Sequence, residues 1–173
     1  MKKLILIFSV MSSVVFADSC HLPGAKVGEV CDDGSIVAGV FMNKTYFVTP
    51  LDAPALQWGA LNTHTGVVDT IAGNENTKKL ASISPPARYC DQLEFAGHSD
   101  WFLPSADELE LLLNNASQIG NFSDDWYWSS SETPKHPNFK PNFVRGGKVD
   151  QEWMTNLLKE WTCPFRCVRS VKM

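Results

Sequence analysis

The spacing of hydrophobic positions changes several times along the chain, and each change marks an element. Ile36 to Phe41 and Thr45 to Val48 are β-prone runs separated by Met42, Asn43 and Lys44, a pattern that predicts a hairpin. Residues 50–79 lose any period. Prolines and glycines punctuate them, and Trp58, Leu61, Val67, Val68 and Ile71 are their main apolar anchors, so a long excursion held by few side chains is expected. A helical turn is expected to open at Asn76-Thr77 and run through Leu80.

Ser84-Pro85-Pro86 predicts a helix start, because serine suits the N-cap and proline is tolerated in the first turn. This helix is expected to reach about Phe95 and stop at Gly97, with Cys90 turned into the core. Asp100 to Leu103 is a short apolar run of strand type, after which Pro104-Ser105 opens a second helix. Ser105 and Glu108 fit a capping box, and Leu109, Leu112 and Leu113 form one apolar stripe.

That helix ends at Asn114-Asn115, ahead of a Gly120-Asn121 turn. Trp126 to Ser131 predicts a strand whose alternation sets Trp126 and Trp128 on one face and Tyr127 on the other. Glu132 to Pro141 reads as an irregular loop, and Gly146-Gly147 between Val144-Arg145 and Lys148-Val149 predicts a hairpin turn. Residues 153–161 fit a strand or a short helix, and Phe165 to Val171 reads as a closing strand. No internal repeat, low-complexity tract or second domain is visible, and the class is α+β.

Residues 1–17 stand apart from this domain. Lys2 and Lys3, the apolar run Leu4 to Phe16 and Val15-Phe16-Ala17 have the three parts of a cleaved signal peptide, with a mature start near Asp18. The apolar run is about 13 residues, short of the roughly 20 that span a bilayer. Ala17-Asp18-Ser19 before Cys20 is a poor lipobox. A secreted, periplasmic or cell-surface location is therefore expected, with residues 18–34 a cysteine-containing loop and residues 35–173 the domain proper.

Composition adds little against one globular domain: 173 residues, 44% hydrophobic and 20% charged, suffice for a sizeable core. Cysteine and charge change the picture more. Cys20, Cys31, Cys90, Cys163 and Cys167 all survive cleavage, so export predicts disulfides and an odd thiol. Cys20 and Cys31 are close enough for a local staple; Cys31 with Cys163 is the rival pairing, which leaves Cys20 for a partner chain or a lipid.

Residues 18–134 carry 5 Lys and Arg against 16 Asp and Glu, whereas residues 135–173 carry 8 against 3. A basic C-terminal part on an acidic chain suits an anionic partner, or else bases scattered over a solvated face.

Four motifs occur in order: Ala87-x-Tyr89-Cys90-x-x-Leu93; Gly97-x-x-Asp100-Trp101-x-Leu103-Pro104-x-x-x-Glu108-Leu109; Tyr127-Trp128-Ser129-Ser130-Ser131-Glu132; and Arg166-Cys167-Val168-Arg169. Over roughly residues 35–172 the chain resembles the Lcl C-terminal domain family, a bacterial domain of unknown function named for the terminal domain of a collagen-like surface adhesin. The resemblance implies a C-type-lectin-like fold, with two helices flanking a mostly antiparallel sheet whose termini meet. It also implies a disulfide between the first helix and the last strand, Cys90 with Cys167, leaving Cys20 with Cys31 and Cys163 as a free or intermolecular thiol. The chain lacks Gly-X-Y repeats, so a trimeric stalk is not implied. It also lacks the Glu-Pro-Asn and Trp-Asn-Asp triplets of calcium-dependent sugar sites.

Trp128 offers a ring face for a ligand, although rings of that size also build cores. Glu132 can hold a loop or ligate an ion. Lys135, Lys140, Arg145, Lys148 and Lys159, interleaved with Asn142 and Trp153, suit sulfated or carboxylated glycans through charge-assisted hydrogen bonds. Nucleic acid would use the same features, but export removes it as a partner. The histidines His21, His64, His98 and His136 fall in no metal motif, no serine sits in a nucleophile elbow, and no cofactor is implied. Asp124-Asp125 near Glu132 offers carboxylates for calcium, but an isolated acidic turn is more often solvated surface.

The expected function is an exported, non-enzymatic adhesion or ligand-binding module for a polyanionic glycan or a surface protein, its oligomeric state open. The alternatives are a thiol-dependent redox enzyme using Cys163 and a structural subunit of a surface or pilus-like assembly.

Overall fold

A computed structural model of the chain describes residues 20, 24–135, 142–151 and 153–173. The signal segment and the mature start, with His21, His136 and Lys140, lie outside the described residues.

The fold is α+β, with antiparallel strand pairs and four helices among the described residues. Strands β1 (Ile36–Phe41) and β2 (Lys44–Val48) form the expected hairpin. Its two-residue turn uses Met42 and Asn43 at φ 48° and 62°, the left-handed pair that matches strand twist in a tight hairpin. The last strand, β8 (Val168–Lys172), adds to β2 with Lys44 opposite Lys172 and Val48 opposite Val168, so both ends of the domain meet in one sheet. Strand β3 (Ala53–Gln57) pairs with β7 (Thr162–Phe165). A third sheet has the order β4 (Trp126–Glu132), β5 (Phe143–Lys148), β6 (Thr155–Leu158).

Helices α1 (Gly73–Leu80), α2 (Pro85–Asp91), α3 (Ala106–Asn114) and α4 (Ala116–Ile119) pack against these sheets. Four helices among the described residues stand where the resemblance implies two, and the helical turn expected through Leu80 is the end of α1. The excursion at residues 50–79 contains β3 and all of α1 but its last residue, Leu80. Pro54 and a register shift between Ala53 and Leu56 hide β3 from any alternation rule, since proline gives no ladder N–H. Helix α2 stops at Asp91, short of Phe95, because Phe95 and His98 bridge across Ala96 and Gly97 at φ 57° and 73°. Asp100 to Leu103 contributes one bridge, Phe102 with Val168, and the expected closing strand is split into β7 and β8.

Gly146-Gly147 is not a turn. Both glycines lie inside β5, where a Cβ on Gly146 would sit 2.6 Å from the Tyr127 carbonyl oxygen and against Leu157. One on Gly147 would sit 2.5 Å from Leu113 Cδ1 and 2.7 Å from Met154 Sδ. The pair is there for close approach of neighbouring layers, and the chain reverses after Lys148 instead.

One core unites Trp58, Leu80, Trp101, Leu103, Trp128 and Phe165, and a second joins Ile36, Tyr46, Val48, Phe102, Leu112 and Val168. The capping glutamate ties several elements together. Glu108 Oε2 accepts from Ser105 N at 2.8 Å and Gly73 N at 3.1 Å, while Oε1 accepts from Tyr46 Oη at 2.8 Å. Burial raises the Glu108 carboxyl above its ordinary value, and burial with the adjacent Glu108 raises the Tyr46 phenol. Disulfides join Cys90 to Cys167, 77 positions apart, and Cys20 to Cys31, 11 apart, and Cys163 is a buried free thiol.

Candidate functional site

The aromatic strand β4 delivers structure before chemistry. Trp128 is fully buried and its Nε1 donates to Leu56 O at 2.7 Å, so its ring is a core component and not a ligand platform. Alternation turns this ring toward the core shared with Trp58, as the area of an indole favours. Between Trp128 and Glu132 the register with β5 shifts; Ser129 Oγ still donates to Arg145 O of β5 at 2.6 Å, while Ser131 docks on other elements. Ser131 Oγ donates to Asp69 O at 2.6 Å and accepts from Ala106 N at 2.9 Å.

Glu132 and Lys159 form the centre of a buried polar network. Their side chains are 1% and 0% exposed, and Lys159 Nζ lies 2.5 Å from Glu132 Oε1. Lys159 also donates to Thr63 O at 2.7 Å and Ala60 O at 3.3 Å, and stands 4.9 Å from the centroid of the Trp58 ring. All three ammonium protons are thereby used. Glu132 Oε2 accepts from Thr65 N at 2.8 Å, Gly66 N at 2.9 Å and Thr65 Oγ1 at 3.0 Å. His64 Nδ1 is 3.9 Å from the same oxygen.

These bonds close the loop 59–66 onto the sheet. Its backbone is contorted, with Gly59, Ala60, Asn62 and Gly66 at φ 87°, 49°, 56° and 75°. Asn142 holds it from the far side: Asn62 N donates to Asn142 Oδ1 at 2.5 Å, and Asn142 Nδ2 donates to Asn62 Oδ1 at 3.0 Å. Leu61, Asn62 and Thr63 are left exposed at its tip.

The basic residues do not gather as their sequence clustering suggested. Lys159 is buried and satisfied, which removes it from any contact set. Arg166 is fully buried, pairing with Asp52 at 2.7 Å, and Arg169 is 6% exposed and pairs with Asp100 at 2.9 Å. Lys148 is engaged by Asp124 at 2.7 Å. Lys135 is exposed and Arg145 half-buried, and neither has an acidic partner among the described residues. Asn142 and Lys135 lie near one end of β5, Lys148 and the 62%-exposed Trp153 near the other, ~17 Å away at about 3.4 Å per residue.

Other candidates separate similarly. Cys163 is buried in β7 with its thiol pushed up to about 12, by burial first and by Asp125 second, the opposite of an activated thiolate. Asp125 and Glu132 flank opposite ends of β4, so they cannot share one ion. Among the described residues no group of three His, Cys, Asp or Glu side chains is arranged to hold a metal ion. No described helix is long and apolar enough to cross a membrane.

Sequence reasoning named Glu132, Asn142 and Lys159 but missed Thr65 and Gly66 as donors to Glu132, Asn62 as the partner of Asn142 and the Trp58 ring beside Lys159. The only local signal was the turn-rich run Gly59 to Gly66, and its anchor lies 66 positions away from Gly66. No protein-family model matches the chain, and no curated protein matches it.

Proposed function

We propose that this chain is an exported, non-enzymatic binding module of the C-type-lectin-like, Lcl C-terminal kind, holding a sulfated or carboxylated glycan on loop 59–66 and Asn142, with positive charge drawn from Lys135 and Arg145. The observation that carries this reading is the pinned loop. Ala60 adopts left-handed backbone at φ 49°, unfavourable for a residue with a plain Cβ, beside Asn62 at φ 56°, where asparagine is tolerated. Such backbone persists where its surroundings over-determine it, and it clusters at ligand clamps. Here the surroundings are the buried Glu132–Lys159 pair and the Asn62–Asn142 carboxamides.

The result is a preorganised tip, Leu61-Asn62-Thr63, that loses little entropy on binding. Lys135 and Arg145 supply positive charge that no acidic side chain in the described chain neutralises. The meeting of the termini in β2 and β8 and the Cys90–Cys167 bridge support the lectin-like reading of the fold.

Retention of the purified chain on immobilised heparin, measured at low and at high salt, tests the glycan reading. The expected result is retention at low salt that falls steeply as the screening length shrinks from ~10 Å at 0.1 M to ~3 Å at 1 M. Lys135→Ala with Arg145→Ala should elute earlier, while Lys159→Arg should leave elution unchanged if the protein stays folded. No retention at low salt, or retention indifferent to the Lys135 and Arg145 pair, overturns it.

A further inference from the structure

The β4–β5–β6 sheet turns Val144 and Leu157 into the core, so the alternate positions Arg145 and Asn156 leave its opposite face. Arg145 and Asn156 are direct partners across β5 and β6, which sets their Cβ atoms about 4.5–5.5 Å apart. Thr133, just past β4, reaches the same face and donates from Oγ1 to Asn156 Oδ1 at 2.8 Å. That bond occupies the carbonyl end of the carboxamide and leaves Nδ2, on an exposed residue, to donate elsewhere.

Arg145 is held at its stem and open at its tip. Its Nε is buried without an acceptor, whereas Nη1 and Nη2 are neither buried nor hydrogen-bonded to any described residue. The face therefore offers donors only: two guanidinium nitrogens in one plane and a neighbouring amide nitrogen. A carboxylate has two oxygens in one plane, which the guanidinium fork satisfies by itself. A sulfate ester has a further terminal oxygen out of that plane, and Asn156 Nδ2 is the donor that stands beside the fork to take it.

We infer that Arg145 and Asn156 form a seat for a sulfate ester of an extended glycan, with Thr133 holding the Asn156 carboxamide in place. The inference rests on the glycan reading above and narrows it from any polyanion to a sulfated one. Arg145 follows Asn142 closely in sequence, roughly 10 Å away along extended chain at about 3.4 Å per residue. A single ligand that touches both the pinned tip and the seat is therefore a chain of sugars and not a lone one.

Release of the purified chain from immobilised heparin, by chondroitin sulfate and by polygalacturonate, tests the inference. The two polymers carry the same charge per sugar, and only the first carries sulfate. Chondroitin sulfate should release the chain at about tenfold lower concentration, the worth of one further hydrogen bond to a charged group. Asn156→Ala, at an exposed position, should abolish that advantage, and Thr133→Val should reduce it. Both polymers are read on the same preparation, so a folding defect cannot imitate the change. Heparin retention with equal release by the two polymers, or an advantage that survives Asn156→Ala, overturns the seat and leaves the glycan reading standing. No retention on heparin overturns both. Release by sodium sulfate equal to that by chondroitin sulfate, at matched sulfate concentration, assigns the seat to the free ion and overturns the ester.

Discussion

Lys159 looks, in the sequence, like any other base of a positively charged C-terminal part, and in the fold it is a fastener. Removing it alone leaves Glu132 charged and buried. Lys159→Met should therefore lower stability by about 3–5 kcal/mol in chemical denaturation. Adding Glu132→Gln should restore part of that loss, since the two effects are coupled through one ion pair and cannot add. Simple additivity of the two losses would mean that the pair does not act as a unit.

Cys163 makes the second residue-scale prediction. Its thiol is held up at about 12 in the folded chain against an ordinary 9.0, so the unfolded chain releases its proton first. The stability tied to that proton is fully present below about pH 9 and is lost as pH rises toward the folded value, by at most about 1.4 kcal/mol per pH unit. Denaturation midpoints at pH 8, 9 and 10 should fall more steeply for the native chain than for Cys163→Ala. Parallel curves would show that the thiol does not carry the slope.

At the scale of elements, β5 shows why a dipeptide signal misleads. Gly-Gly encodes only conformational freedom, and a tight turn is one use of it; close contact between layers is another. Nothing local distinguishes them, because Leu157, Tyr127 and Leu113 reach the glycines only after β4, β6 and α3 have assembled. Gly146→Ala should cost about 1–3 kcal/mol, since its methyl meets the Tyr127 carbonyl, which cannot step aside. Gly147→Ala should cost less, because its methyl meets the flexible ends of Leu113 and Met154. Thermal unfolding of the two variants side by side checks the order. By contrast, α3 was legible: its capping glutamate and leucine stripe are local, and donation by the Ser105 N–H to the Glu108 carboxylate follows from a three-residue spacing.

At the scale of the whole molecule, the β2–β8 pairing holds the two ends of the domain together and the Cys90–Cys167 bridge ties helix α2 to the chain entering β8. Closing 77 positions restricts the unfolded chain more than closing the 11 between Cys20 and Cys31. Replacing Cys90 and Cys167 by alanine should lower stability by about 4 kcal/mol, and replacing Cys20 and Cys31 by about 3 kcal/mol, measured by denaturant unfolding without reductant. Equal losses would place the stabilisation in the folded contacts and not in chain entropy.

The sequence by itself determined the class, the first hairpin, the capped helix α3, the aromatic strand β4 and the cysteine count, because each rests on spacings of four residues or fewer or on composition. Only the tertiary structure decided which bases reach water. Lys159, Arg166 and Arg169 are drawn inward by Glu132, Asp52 and Asp100, partners 27, 114 and 69 positions away. Linear clustering of charge carries no information about which face it lands on. The pinned loop 59–66 was likewise invisible, since its anchors Glu132, Asn142 and Lys159 reach it only after β4, β5 and β6 have assembled.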